Sequence, residues 1–105
     1  MGIVVYKDNN NWGGCKEDSS KIWKYVKSNG AYSESYGSAT DKKKKWLHCI
    51  VTITSTSLNL KTYDGTTLVR ENTVTIPSTH SKIGIECSWA TSNNARIKNL
   101  SAILL

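Results

Sequence analysis

In three separate stretches of the chain, apolar residues return at every second position. A period of two is the mark of a β-strand that buries one face. From Leu47 to Ile53 the apolar positions are Leu47, Cys49, Val51 and Ile53, with His48, Ile50, Thr52 and Thr54 opposite. Leu58, Leu60 and Thr62 repeat the pattern, with Asn59, Lys61 and Tyr63 facing the other way. Ile83, Ile85, Cys87 and Trp89 form the third alternation, with Gly84, Glu86 and Ser88 on the far side, and are expected to be buried.

The segments between read as turns and shorter strands. Ser55-Thr56-Ser57 is a turn. Asp64-Gly65 is the pair that a tight hairpin wants, because positive φ is needed there. Thr66 to Val69 is the returning arm, Arg70-Glu71-Asn72 a polar break, and Val74 and Ile76 a short strand closed by Pro77-Ser78. Thr91 to Asn94 is a loop. A last strand is expected over Ala95 to Leu105, apolar on both faces at its end and therefore central or covered. Toward the N-terminus, Ile3 to Tyr6 reads as a strand and Asn9 to Gly14 as a turn cluster. Lys21 to Lys27 fits a helix through Ile22 and Val26 and a strand through Trp23 and Tyr25. The β-rich surroundings and the Ser28-Asn29-Gly30 break favour the strand. Short strands, polar turns and no convincing helix predict an all-β fold, an antiparallel two-sheet β-sandwich. At 105 residues the chain suits one domain spanning 1–105.

No apolar run approaches the length of a membrane span, and the start of the chain lacks the basic lead and long apolar core of a signal peptide. The expected setting is therefore a virion part, an excised extracellular domain or a cytoplasmic product. The three cysteines are an odd number, which argues against a complete disulfide framework. Cys49 and Cys87 read as buried free thiols, with a Cys49–Cys87 bridge across the sheets as the alternative. No cysteine or histidine spacing suits zinc. The net charge of +6 is concentrated in Lys42-Lys43-Lys44-Lys45, a run that reads as a solvated loop.

Three features in the stretch from Trp46 to Leu105 carry a family resemblance. They are the Leu47–Thr54 strand with the Leu58–Val69 Asp-Gly hairpin, the Ser81-Lys82-Ile83-Gly84-Ile85-Glu86-Cys87 strand with its Ile-Gly step, and the closing Asn94-Ala95-Arg96-Ile97-Lys98-Asn99-Leu100. The stretch resembles the closing part of concanavalin A-like (lectin/glucanase, laminin-G-like) sandwiches. The resemblance implies a jelly roll and binding of glycans or protein surfaces. It also admits modules that only build phage or viral appendages. Complete members are commonly longer, and the calcium-binding acidic cluster of legume-type lectins is not recognisable. Its closest candidate, Asp8-Asn9-Asn10, has one carboxylate, which is weak for a hard cation.

Catalysis finds little support. Of the eight carboxylates only Glu17-Asp18 are close in sequence, and neighbouring strand residues point to opposite faces. No motif recruits His48 or His80, which read as a strand residue on the less buried face and a loop residue. The expectation is a non-enzyme with no catalytic residues, no metal and no cofactor. Sugar sites use aromatic faces against the apolar side of the ring and planar polar groups for hydroxyls. Trp12, Tyr32, Tyr36 and Trp89 lie near polar loops, whereas Trp23 and Trp46 read as core or sheet-edge aromatics. The expected ligand-binding set is Tyr32, Tyr36, Trp89, Asn93, Asn94 and Arg96. The lysine run beside Trp46 and His48 has the charge and aromatic of a single-strand binder, but no nucleic-acid motif accompanies it, so nucleic acid is not the expected partner. The leading expectation is non-enzymatic carbohydrate or surface-glycan recognition. The alternative is a structural or assembly module of a phage, viral or cell-surface appendage, a homo-oligomer joined through open strand edges or its apolar end Ile103-Leu104-Leu105.

Overall fold

The structure, a computed structural model, describes residues 2–17, 21–38, 45–86 and 97–101. These hold eight strands: β1 (Gly2–Asp8), β2 (Asn11–Glu17), β3 (Lys21–Ser28), β4 (Ala31–Ser38), β5 (His48–Ile53), β6 (Ser57–Asp64), β7 (Thr67–Thr75) and β8 (Lys82–Glu86). There is no helix among the described residues. One sheet has the order β4-β3-β2-β1-β8 and the other β5-β6-β7. Every pairing is antiparallel. The sheets pack face to face as a sandwich, with β7 across β2 and β3 and β6 across β2. The all-β, two-sheet expectation therefore holds.

Local chemistry sets the hairpins. Asn29 and Gly30 join β3 to β4 with φ of 49° and 80°, the two positive values that a two-residue turn between twisted strands requires. Gly65, with φ 61°, opens the β6–β7 turn expected at Asp64-Gly65. At the β1–β2 turn the Asp8 carboxylate accepts from the Asn10 backbone N–H at 2.8 Å and from Asn11 Nδ2 at 3.0 Å. These donors hold its pKa below the ordinary value. Asp8 thus closes a turn. Gly30 N–H donates to Asn10 O and Asn29 N–H to Asn11 Oδ1, which stitches two hairpin tips together.

The core is built from Val5, Cys15, Leu58, Leu60, Val74 and Ile76, with Ile3, Val26, Val51 and Ile53 packed around it. The alternations over Val51–Ile53 and Leu58–Thr62 hold, and Lys21–Lys27 is a strand. Five expectations are corrected. Asn9–Gly14 is not all turn, because β2 begins at Asn11. Arg70-Glu71-Asn72 is no break, because β7 runs through it with Arg70 and Asn72 buried. Cys49 is exposed on the edge strand β5, and its thiol is free rather than bridged. Ile83 and Ile85 are 62% and 40% exposed. They share the inner face with Val5 and Ile3, but β8 is the outermost of five strands facing a sheet of three. At the opposite end the inner face of β4 carries Ser33 and Ser35, which water can solvate. Residues 97–101 form no strand. Cys87 and Ile103-Leu104-Leu105 lie outside the described residues.

The polar residues of β7 make an ion pair between the sheets. Arg70 Nη1 donates to Glu17 Oε2 at 3.0 Å, and Thr62 Oγ1 donates to Glu17 Oε1 at 2.6 Å. The Arg70 and Glu17 side chains are 3% and 12% exposed. Such a pair adds little net stability but is costly to break, because the survivor keeps its charge in a dry site. Replacing Arg70 alone (Arg70→Met) is expected to cost about 3–5 kcal/mol, and Glu17→Gln added to it should restore part of that loss. Urea unfolding of both variants checks this, and equal costs would refute it.

Cys15 is fully buried. Burial pushes its thiol from an ordinary value of 9.0 up to about 12. In the unfolded chain the thiol ionises first, so this contribution is constant below about pH 9 and is lost on rising toward about 12. Between pH 8.5 and 11 the parent chain should lose about 2 kcal/mol more than a Cys15→Ala variant. Unfolding curves at the two pH values test this, and parallel losses would refute it.

Candidate functional site

Strand register places an unusual set of side chains on the outer face of the five-stranded sheet. Tyr6 pairs with Trp12, Trp12 with Lys27, and Lys27 with Tyr32. Opposed residues share a face, so this is one row across the sheet. In the next row Val4, Gly14, Tyr25 and Glu34 pair in succession, and in the third Lys16, Trp23 and Tyr36 do so. The chain has four tryptophans and five tyrosines. Six of them, Tyr6, Trp12, Trp23, Tyr25, Tyr32 and Tyr36, therefore stand on one face.

The rings touch one another. Trp12 is central, with ring centroids 6.0 Å from Tyr6, 5.5 Å from Tyr25 in an edge contact, and 5.6 Å from Tyr32. Trp23 and Tyr36 form a second pair at 4.2 Å, and Lys16 Nζ lies 5.4 Å from the Trp23 ring centre. On β4 the Glu34 carboxylate accepts from Tyr32 Oη through one oxygen and from Tyr36 Oη, at 3.1 Å, through the other. Donation to a carboxylate raises the Tyr36 pKa. Alternate residues on a strand point the same way, so Tyr32, Glu34 and Tyr36 are held as one unit. Together the six rings, Lys16 and Glu34 bound a cleft of about 490 Å³, within the size range of small-molecule sites. A smaller groove of about 330 Å³ lies on the other side of β4, lined by Ser33, Ser35, Thr73, Thr75 and their neighbours.

Gly14 sets the floor of the aromatic cleft. A Cβ there would stand 2.9 Å from Tyr25 Cζ and 2.6 Å from Ile3 O. Without one, the Tyr25 ring lies down over β2, and Tyr25 is 6% exposed while Tyr32 and Tyr36 stay above 50%.

Of the six expected site residues, Tyr32 and Tyr36 lie on this face, and Trp12, read as a nearby aromatic, joins them. Trp89, Asn93, Asn94 and Arg96 lie outside the described residues. Tyr6, Trp23, Tyr25, Lys16 and Glu34 were not expected there. The signal was the i, i+2 parity of Trp23/Tyr25 and of Tyr32/Glu34/Tyr36, which assigns faces once the strands are known. Trp23 is not core but half-buried on this outer face. Trp46 is 55% exposed with Lys98 Nζ 4.2 Å from its ring centre. Lys45 of the basic run pairs with Asp64 Oδ2 at 3.0 Å at the surface. Glu17, half of the one close carboxylate pair, is turned inward to Arg70. No cluster of three His, Cys, Asp or Glu side chains that could hold a metal occurs among the described residues, and no helix there is long and apolar enough to cross a membrane.

The chain matches no family model, no curated protein and no solved structure.

Adding the missing methyl at this floor (Gly14→Ala) should lift Tyr25 from β2, lower stability by about 1–3 kcal/mol, and alter the near-ultraviolet circular dichroism of the Trp12 cluster. An unchanged spectrum and melting temperature would show that the ring does not depend on this glycine.

Proposed function

We propose that this chain is a non-enzymatic carbohydrate or surface-glycan recognition module that stacks sugar rings on the outer aromatic face of its five-stranded sheet. One observation carries the reading, the joining of six rings into an open cleft with a carboxylate and ammonium groups among them. Aromatic faces suit the C–H side of a pyranose, and charged groups at their rim suit its hydroxyls. Rings held by one another and by Glu34 lose little freedom when a ligand binds, which favours affinity. The face is built on strands rather than loops, so its spacing is fixed before binding.

The concanavalin A-like jelly roll is the proposed relationship. The two antiparallel sheets support it at the level of a sandwich, while β1 to β4 and β5 to β7 follow one another as neighbours within their sheets and the chain crosses between sheets after β4 and after β7. A second reading, assembly within a phage, viral or cell-surface appendage, is favoured by the exposed Ile83 and Ile85 on the edge strand β8.

A glycan-array screen followed by titration of tryptophan fluorescence tests the first reading. Trp12→Ala and Tyr36→Ala should each weaken binding about tenfold or more, roughly the share of a stacking anchor. Binding untouched by both variants would remove the site from this face. Absence of glycan binding together with a concentration-dependent oligomer would favour assembly instead.

A further inference from the structure

The rings of the outer face fall into two groups. Trp12 gathers Tyr6, Tyr25 and Tyr32 around it, and Trp23 lies against Tyr36. Strand geometry sets the distance between the groups. Tyr32 and Tyr36 are four residues apart on β4 and point the same way, which separates them by roughly 13 Å along the strand. Both are more than half exposed. The row between them holds Tyr25 paired with Glu34. Tyr25 is buried there as floor, and both Glu34 oxygens accept from the hydroxyls of Tyr32 and Tyr36. One cleft of about 490 Å³ takes in both groups and the row between them.

A pyranose is about as wide as the tyrosine ring on which it stacks. One sugar can therefore lie on one group of rings but cannot touch the other. Reaching both takes a run of sugars laid along the strands, with the middle of the run passing over the Tyr25–Glu34 row.

The same placement limits the shape of the run. Tyr32 and Tyr36 rise from one strand on one face, so a ligand that touches both must run straight between them. Pyranoses joined through equatorial bonds extend as a straight ribbon. When their substituents are equatorial too, each ring carries C–H groups on both faces, so successive sugars offer an apolar side to the aromatic rings even where they alternate in orientation. Chains with axial linkages coil, and a coiled chain leaves the face after the first group.

Resting on the glycan reading, we infer that the ligand of this face is an extended stretch of a linear polysaccharide of equatorially linked pyranoses, lying along β3 and β4 so that separate sugars stack on the two ring groups. Trp12 and Tyr32 hold one end of the stretch, and Trp23 and Tyr36 hold the other. Each group alone binds weakly. Once one sugar is seated, the linkage delivers the next station its sugar at a high effective concentration, so affinity grows with chain length until both stations are filled.

The test titrates the tryptophan fluorescence of the full chain with β-1,4-linked glucose and N-acetylglucosamine oligosaccharides from one sugar to six, with an α-1,4-linked glucose hexamer, and with a single-stranded oligonucleotide. In at least one β-linked series, binding should tighten about tenfold or more between the single sugar and the tetramer and change little beyond it. The α-linked hexamer should bind about tenfold more weakly than the β-linked one. Tyr36→Ala should flatten the length dependence, weakening the hexamer about tenfold and the disaccharide by less, and circular dichroism confirms that the variant is folded. Affinity independent of length, or a hexamer unaffected by Tyr36→Ala, would overturn the extended ligand while leaving the glycan reading standing. Equal or tighter binding of the α-linked hexamer, or binding confined to branched or terminal structures on a glycan array, would do the same. No saccharide binding at all, or tighter binding of the oligonucleotide than of any saccharide, would overturn both.

Discussion

The architecture depends on two adjacent residues without side chains at the centre of the larger sheet. Gly13 faces inward, where a Cβ would lie 2.7 Å from Thr75 O and 3.1 Å from Ile76 Cγ2. Its absence lets the end of β7 settle onto β2. Gly14 faces outward, and its absence lets Tyr25 lie flat beneath the aromatic cleft. One dipeptide thus brings the sheets together on one side of β2 and levels the candidate site on the other. The usual cost of glycine in a strand is lost side-chain packing, and here backbone and ring fill the space that a side chain would have taken.

This coupling makes the site part of the fold. Val5 and Cys15 pack the interior from β1 and β2, and their alternate neighbours Tyr6, Trp12 and Lys16 form the outer surface. The inward Glu17 is tied to Arg70 and Thr62 of the opposite sheet. A strand that shifted register by one residue would bury Trp12 and Lys16 and expose Cys15 and Glu17. The buried ion pair therefore opposes slippage in the strand that carries the centre of the cleft. In β4 the corresponding order comes from Glu34, which holds two otherwise exposed tyrosines.

Much of the smaller sheet could be read directly. Leu58, Leu60 and Thr62 face inward because their alternation is unbroken, and Asp64-Gly65 turns because glycine tolerates its positive φ. The larger sheet was harder. In β2 the run of Asn, Gly and Gly looks like a turn, since local preference cannot show that the glycines are needed for close approach. In β7 the charged and amide residues look like a gap, since only the partner Glu17, 53 positions away, makes burial of Arg70 acceptable. Ile83 and Ile85 carry a buried pattern, but among the described residues the facing sheet has three strands against five, and no local signal reports the width of a distant sheet.

The sequence by itself determined that this chain is all-β, where most of its strands and tight turns lie, and that Tyr32 and Tyr36 are candidates for a surface role. Alternation and turn chemistry act between near neighbours, so they are legible along the chain. Only the tertiary structure decided that six aromatic residues from β1, β2, β3 and β4 meet on one face, with Lys16, Lys27 and Glu34 among them. That face follows from the pairing register of strands joined by three hairpins, and register depends on contacts between residues that no local pattern brings together.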